Sequence, residues 1–226
     1  MSHPEIPVLD RGFVRLIDHM GTDLTVVNAA RVSFGKRKES FDDKDAELVG
    51  YLAQHEHTAP FRHAYLTFHV KAPIFVFRQW MKHRIASDFN EISGRYVEFR
   101  EDEFFVPGSF RQQAKVNKQG SEGEIDEANR KAAMDAFLEA CHQSVAQYKK
   151  LIDLGVCREQ ARCVLPLGLY SEVYWTASLQ AVAHFLHLRL DSHAQWEIRQ
   201  YAQAVRDLTE PLFPESLKSL MKAPSA

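Results

Sequence analysis

The sequence predicts an α+β fold in a single domain, with a mixed or antiparallel sheet and long helices. Short β-branched and aromatic runs occur in the first third of the chain, and apolar residues three to four positions apart recur over long stretches after residue 125. A chain of 226 residues buries about 70% of its unfolded surface, so it needs no disulfide or structural metal to fold. Its linker-like stretch, 106–124, is too short to divide it, and we take residues 1–226 as one domain.

Strands are expected mainly near the start of the chain. Residues 12–34 contain β-branched runs on both sides of Gly21-Thr22-Asp23, which predicts a hairpin or two strands. Residues 42–54 open with acidic residues and space their apolar residues three to four apart, which predicts a short helix. The aromatic and β-branched run 64–70 predicts a further strand.

The middle of the chain combines a helix with polar segments. Pro73 suits the first turn of a helix that would run to about Arg84, because its missing N–H costs nothing there. The polar stretch 85–96 predicts a loop that leads into a short strand near Tyr96–Phe99. The composition of residues 106–124 predicts a surface loop with little regular secondary structure.

Three longer helices are predicted in the second half. The first covers about 125–154, and Gly155 stands where a C-terminal cap belongs. The second covers about 171–189. The third covers about 193–213 and ends before Pro214.

Composition excludes several classes of protein. The 28 Lys and Arg residues against 30 Asp and Glu give a net charge of −2, which argues against a general nucleic-acid coat protein. Since no apolar run approaches about 18 residues and the first residues lack the apolar stretch of a signal peptide, we expect neither a membrane span nor secretion. Three cysteines without CxxC spacing predict free thiols in a reducing compartment, and we expect a cytoplasmic protein.

A cluster of cations in the middle of the chain is a strong chemical signal. Between Lys71 and Arg100 there are six Lys/Arg against three Asp/Glu, interleaved with Phe and Trp residues. A cation in apolar surroundings needs an anionic partner, and the guanidinium groups of Arg84 and Arg95 suit phosphate. Ser93-Gly94 adds a hydroxyl and a backbone that a ligand can approach closely. A solvated helix end would show the same spacing, so that alternative stays open.

Polar residues on a later helix and a group of histidines are weaker signals. Gln180, His184 and His187 share one helical face. Arg189 lies about 140° round the helix from His184, so a site that uses both must be large or lie at the helix end. The histidines between residues 55 and 69 lack the zinc-binding His-Glu-x-x-His spacing, and we predict no metal site.

Three stretches of the chain resemble the flavin-dependent thymidylate synthases. The segment KHRIASDFNEISGRY resembles the family signature, usually Arg-His-Arg, seven residues and then Ser-x-Arg. The segments HEHTAPFRHAYLTFHVKAPIFVFRQW and ARCVLPLGLY…WTASLQAVAHFLHLRLDSHAQWEIRQYA are similar to the two halves of the family, in the same order. The resemblance covers about residues 25–205. The chain differs at Lys82, where the family usually has Arg, in one extra residue near Asp88-Phe89, and at Gln180 and His184, where some members have Arg and Asn.

This resemblance implies a homotetramer of α+β subunits with active sites shared between subunits. It implies FAD as cofactor, dUMP as substrate, and NADPH and methylenetetrahydrofolate as co-substrates. NADPH reduces FAD, the one-carbon unit passes from the folate to uracil C5, and the reduced flavin supplies the hydride that completes the methyl group of dTMP. No cysteine attack is needed, and none of the three cysteines follows a proline, unlike the nucleophile of the unrelated cysteine-dependent synthase.

The resemblance also assigns roles to individual residues. Arg189 matches the arginine that activates the uracil by favouring its ionised N3 form, which is a suitable role for a fixed cation aimed at developing negative charge. The residues implied to bind dUMP are Gln79, Trp80, Met81, Lys82, Glu91, Ser93, Gly94, Arg95, Arg162 and Arg189. The residues implied to bind FAD are His57, Thr58, Ala59, Lys82, His83, Arg84, Asn90, Glu91, Ser178, Gln180 and His184.

Two other functions are compatible with the residues alone. A nucleotide- or RNA-binding module could use the basic segment 78–100 without catalysis. A hydrolase could use a histidine-ligated metal. Purified protein that shows the absorbance of oxidised flavin would favour the flavin-dependent enzyme over both.

Overall fold

An antiparallel sheet organises the chain in the computed structural model, which describes residues 3–100, 103–116 and 120–223. In spatial order its five strands are β1 (Glu5–Val8), β2 (Gly12–Met20), β3 (Tyr65–Pro73), β7 (Tyr170–Ser178) and β4 (Ser87–Glu91). Every neighbouring pair is antiparallel. A separate hairpin consists of β5 (Arg111–Gln113) and β6 (Ser121–Glu124). The sheet and its helices confirm the predicted α+β class.

Helices pack on one face of the sheet and build the core with it. The helices are α1 (Asp23–Arg31), α2 (Asp43–Gln54), α3 (Ile74–Trp80), α4 (Glu127–Asp153), α5 (Arg158–Ala161), α6 (Leu179–Arg189), α7 (Trp196–Thr209) and α8 (Pro214–Lys222). On the sheet, buried residues alternate along the strands, such as Leu66 and Phe68 on β3 and Val173 and Trp175 on β7. α4 instead places its buried Cys141 in a smaller, separate cluster.

Several helices lie where the sequence predicts them. α2 matches 42–54 and begins at the N-cap Asp42, whose side chain accepts a hydrogen bond from a backbone N–H. α4 matches 125–154, and Gly155 has the left-handed φ of +84° that suits a helix end. α7 lies inside the predicted helix 193–213, and α3 ends four residues earlier than predicted. β1 and α8 were not predicted from the sequence. No helix of the described residues is both long and apolar enough to cross a membrane.

The run after β2 is a helix, so the prediction of a second strand there is wrong. The Thr22 backbone N–H donates to Thr25 Oγ1, which caps the first turn of α1. Buried Asp23 accepts hydrogen bonds from the backbone N–H groups of Glu215 and Ser216, at the start of α8. The capping and this distant contact with α8 outweigh the β-branched character of the run.

The predicted helix at 171–189 is a strand followed by a helix. Val173 and Ala177 are four residues apart, which suits a helix, but Trp175 between them is buried as well. This period of two belongs to β7, which pairs with β3 on one side and β4 on the other. The helix starts only after Ser178, whose Oγ accepts a backbone N–H of the first turn of α6. The first half of the prediction is therefore wrong.

The polar region after α3 contains strand β4 instead of the predicted loop at 85–96. β4 lies at the edge of the sheet, and all five of its residues are exposed or half-buried, so its sequence carries no strand signal. Its pairing comes from β7, which is far away in the sequence. The strand predicted near Tyr96–Phe99 is wrong, since these residues form a turn and irregular backbone. Residues 106–124 hold the small hairpin β5–β6.

Candidate active site

Most of the residues assigned to the flavin come from segments that meet at one end of the sheet. β3 begins and β7 ends there, since Tyr65 pairs with Ser178, and β4 begins beside them. His57-Thr58-Ala59 lead through a 3-10 turn into β3, and Lys82–Arg84 lead into β4. α6, which carries the flavin-assigned Gln180 and His184, starts where β7 ends. The sheet therefore collects segments that are far apart in the sequence.

Two of these segments line a cleft of about 310 Å³. The residues that line it are Lys82, His83, Arg84, Ile85, Ala86, Gln180, Ala181 and His184. Lys82 and Arg84 are exposed, and neither side chain has a hydrogen-bond or ion-pair partner within the part of the chain that the structure describes. Such cations, beside a polar amide and an imidazole, suit an anionic ligand. Ile85, Ala86 and Ala181 were not predicted, because nothing in the sequence marks an apolar residue as part of a cleft wall.

His83 connects Arg189 to this cleft. Arg189 Nε donates a hydrogen bond to His83 Nε2 at 3.0 Å, and a terminal guanidinium nitrogen donates to the Gln79 carbonyl at 3.4 Å. The His83 ring lies edge-on to that of His184, with 5.8 Å between the centroids. Arg189 is the last residue of α6, so it reaches the cleft from the helix end. Arg189 and His184 can therefore belong to one site although they lie on different faces of the helix.

The His83 imidazole is neutral at physiological pH. Burial is the largest cause that lowers its pKa from 6.5 to about 4, and the charge of Arg189 and the neighbouring His184 lower it further. Because Nε2 accepts the Arg189 N–H, the His83 proton lies on Nδ1. His83 thus acts as an acceptor that orients the guanidinium.

We expect His83 to make the protein less stable in mildly acidic solution. An unfolded histidine takes up a proton near pH 6.5 and folded His83 only near pH 4, so the unfolded state binds more protons between these values. The free energy of unfolding therefore falls as the pH is lowered through this window. In urea titrations, His83→Gln should lose less stability from pH 6.5 to pH 4 than the wild type. A matched change at exposed His63 should keep the wild-type slope, and equal slopes for wild type and His83→Gln would contradict the assignment.

Four of the residues assigned to the nucleotide lie at the other end of β4. Ser93, Gly94 and Arg95 follow this strand, and Arg162 packs against the same loop. A Cβ on Gly94 would lie 2.5 Å from the Phe99 ring and 3.3 Å from Arg162 Cδ, so a larger residue there would displace the Phe99 ring. The five residues of β4 span about 17 Å, which separates this loop from the cleft within one chain.

β4 itself carries two of the assigned polar residues. Asn90 and Glu91 are both exposed. Glu91 accepts a hydrogen bond of 2.6 Å from the hydroxyl of Ser171, which is buried on β7. Ser171 was not predicted as part of the site, because a serine on a strand gives no local signal of which carboxylate it will orient.

A few assigned side chains face the core. Trp80 is fully buried and stacks on Phe185, with 4.6 Å between ring centroids. Ser178 is buried as the cap of α6, and Met81 is half-buried. Any contact of Trp80 or Ser178 with a ligand would have to come from the backbone. The binding roles of the assigned residues stay predictions.

Two of the histidines that could suggest a metal are engaged in other contacts. His55 stacks on Tyr51 with 4.1 Å between centroids, and His69 Nε2 lies 2.8 Å from a Glu172 carboxylate oxygen. Within residues 3–100, 103–116 and 120–223, no three His, Cys, Asp or Glu side chains come together as candidate metal ligands.

Fold and site together define an α+β protein with cations at both ends of the edge strand β4. Such cations are suited to bind a phosphorylated ligand. A family model described as thymidylate synthase complementing protein matches residues 15–215, a range that contains every assigned site residue. The chain therefore belongs to the flavin-dependent thymidylate synthase family, as its relatives also indicate.

Two relatives and one solved structure are similar to this chain over most of its length. The flavin-dependent thymidylate synthase of Thermus thermophilus is 50% identical over 209 residues, which cover 92% of this chain and 75% of the relative. That of Thermosipho africanus is 45% identical over 218 residues, 96% of this chain and 94% of the relative. The crystal structure of the UMP/dUMP methylase PolB from Streptomyces cacaoi, bound with 5-Br dUMP, superposes with a TM-score of 0.85 at 33% identity and covers 98% of this chain and 99% of that one.

Proposed function

We propose that the chain converts dUMP to dTMP, with the one-carbon unit of methylenetetrahydrofolate and a hydride from FAD that NADPH has reduced. The observation that carries this proposal is the cleft before β4. There Lys82 and Arg84, cations without an ion-pair partner in the described residues, lie beside the Arg189–His83 pair, in a chain of this family.

The cleft residues fit a flavin nucleotide chemically. Its diphosphate is an anion, and Lys82 and Arg84 offer charged donors without competing acidic partners in the described part of the chain. Gln180 offers an amide donor and acceptor, and Ile85, whose side chain is 86% exposed, offers apolar surface to a planar ring. Lys82 places a point charge where an arginine would make a forked contact.

The loop after β4 supports dUMP binding. Arg95 and Arg162 are exposed, and the Arg162 side chain packs beside Gly94, the residue before Arg95. Each guanidinium can form paired hydrogen bonds with phosphate. The Ser93 hydroxyl adds a neutral donor and acceptor. Glu91, held by Ser171, adds an acceptor at the same end of β4.

Arg189 supplies the fixed positive charge for activation of the uracil. Its guanidinium keeps its charge in a protein, although burial lowers its pKa from the usual value. The acceptors His83 Nε2 and the Gln79 carbonyl hold it in one orientation. A preorganised cation of this kind stabilises negative charge that develops on the uracil, because no reorganisation is needed during the reaction.

Assembly completes the site in this proposal. The cleft and the loop at 93–95 lie at opposite ends of β4, too far apart for one small nucleotide to touch both within a chain. We propose a homotetramer in which the loop of one subunit meets the cleft of another. The folate and NADPH bind at the same shared sites, and the reaction takes place in the cytoplasm.

Subunit mixing tests this arrangement. Arg189→Ala and Arg95→Ala subunits should each be inactive, but dissociation and reassociation of an equal mixture should create about one quarter of sites with both arginines intact. We expect dTMP formation to return in part. Hybrid tetramers without recovered activity, or a fully active monomer in light scattering, would contradict a shared site.

We expect all three cysteines to be dispensable for catalysis. Burial raises the pKa of the Cys141 thiol, and neither it nor the exposed Cys157 and Cys163 lines the cleft. A variant with all three replaced by Ala or Ser should retain dTMP formation. If a single replacement abolishes activity while circular dichroism and flavin content stay normal, a thiol takes part in the mechanism.

Absorbance spectroscopy tests the proposed function. The purified protein should show the band of oxidised flavin, and addition of dUMP should perturb it. Protein that stays colourless after addition of FAD but binds nucleotides would support a binding module instead. Nucleotide hydrolysis that depends on added zinc would support a metal hydrolase.

A further inference from the structure

A chain of hydrogen bonds connects a buried carboxylate to the assigned nucleotide residue Gln79. Glu197 has a side chain that is only 5% exposed, and Arg111 donates to its Oε1 at 2.7 Å. Gln195 Nε2 donates to Glu197 Oε2 at 2.9 Å, and Gln79 Nε2 donates to Gln195 Oε1 at 2.6 Å. We call Glu197, Gln195 and Gln79 the amide relay.

The carboxylate determines the direction of every bond in the amide relay. An ionised carboxylate only accepts hydrogen bonds, so Gln195 must turn its NH2 group toward Glu197. The carbonyl oxygen of Gln195 then faces Gln79, and Gln79 must offer its own NH2 group to that oxygen. This leaves Gln79 Oε1 as an unused acceptor with a defined direction.

Gln79 lies next to the residue that acts on the uracil. Its backbone carbonyl accepts a hydrogen bond from Arg189. A phosphate oxygen cannot be the partner of Gln79 Oε1, since both groups are acceptors. In dUMP the available donors are the uracil N3–H and the ribose 3′-hydroxyl.

We propose that Glu197 and Gln195 are positioning residues that hold Gln79 Oε1 toward a hydrogen-bond donor of dUMP. This inference rests on the proposed function. The 3′-hydroxyl is the favoured donor because Arg189 favours the ionised N3 form of the uracil, which has no N3–H. A site with a fixed acceptor disfavours an analogue that lacks the matching donor, because the acceptor then loses its hydrogen bond to the nucleotide.

Glu197→Gln should reverse the amide relay. Arg111 is a donor only, so the new amide would turn its carbonyl oxygen toward Arg111 and its NH2 group toward Gln195. Gln195 would then donate to Gln79 Oε1, and Gln79 would present its NH2 group to the nucleotide. The variant reverses both hydrogen bonds within the amide relay, while Arg111 still donates to residue 197.

The experiment uses the FAD-loaded enzyme and measures the inhibition constants of two dUMP analogues. For each analogue, the quantity compared between variants is the ratio of its inhibition constant to the KM for dUMP. The 3′-fluoro analogue lacks the 3′-hydroxyl donor, and dCMP lacks the N3–H donor. For the wild type we expect the 3′-fluoro analogue to bind roughly 10- to 100-fold more weakly than dUMP. In Glu197→Gln this ratio should fall about tenfold, since an NH2 group tolerates an acceptor. A fall in the dCMP ratio alone would identify N3–H as the donor.

Two further variants keep the result interpretable. Asp207→Asn neutralises a carboxylate that pairs with Gln203 on the exposed side of α7, and it should leave both ratios unchanged. Gln195→Met interrupts the relay at an exposed position and should lower the same ratio if Glu197→Gln does not fold. Unchanged ratios in a folded relay variant would overturn the amide relay. A wild type that makes no dTMP from dUMP would instead contradict the proposed function.

Discussion

Arg189→Ala is expected to retain bound flavin and to lose about 10²- to 10³-fold in the rate of dTMP formation. The guanidinium is held by His83 Nε2 and by the Gln79 carbonyl, so it is oriented before substrate binds. Removing one preorganised charge from the uracil loses stabilisation of the activated form but leaves Lys82 and Arg84 available to the flavin. The effect should therefore appear in turnover and not in flavin content.

The measurement is the rate of dTMP formation at saturating dUMP, together with the flavin-to-protein ratio. Arg206→Ala is a matched control, because Arg206 is a partly exposed arginine on α7 that pairs with Asp207. It should keep the wild-type rate. Near-wild-type turnover of Arg189→Ala would remove Arg189 from the mechanism.

Trp80→Ala is expected to lower the free energy of unfolding by about 3–5 kcal/mol. The Trp80 ring is fully buried, stacks on Phe185 at 4.6 Å and meets Trp175 edge-on at 5.2 Å. Its removal leaves a cavity between α3, α6 and the sheet. Since Gln79 precedes Trp80 and the cleft-lining turn follows it, flavin content should fall as well.

Urea unfolding at fixed pH checks this loss of stability. Phe34→Ala is the control, because the Phe34 side chain is 79% exposed and its removal should change the free energy of unfolding by less than about 0.5 kcal/mol. If Trp80→Ala and Phe34→Ala were equally stable, Trp80 would not support the core as the structure indicates.

The sequence predicts elements that local signals define. α4 follows from apolar residues at helical spacing and from Gly155 at its end, and β3 follows from an uninterrupted aromatic and β-branched run. β4 was missed because an exposed edge strand needs few apolar residues, and its hydrogen bonds come from β7. The same distant pairing makes residues 170–178 a strand although their apolar spacing also suits a helix.

The sequence predicts which residues belong to the site. It does not predict which of these residues contact one another. The resemblance assigns Arg189 and His83 to different ligands, and only the fold shows the hydrogen bond between them. Helical spacing placed Arg189 on a different face of the helix from His184. A long side chain at a helix end can nevertheless reach a site that its position around the helix does not face. The bond between Gln79 and Gln195 joins residues 116 positions apart, and no local pattern marks it.

Formation of dTMP before and after removal of the flavin tests the proposed function most directly. With dUMP, methylenetetrahydrofolate and NADPH, the purified protein should form dTMP, the flavin-free protein should form none, and addition of FAD should restore the reaction. Equal dTMP formation by flavin-free protein, or none by protein that carries flavin and all three substrates, would contradict the assignment.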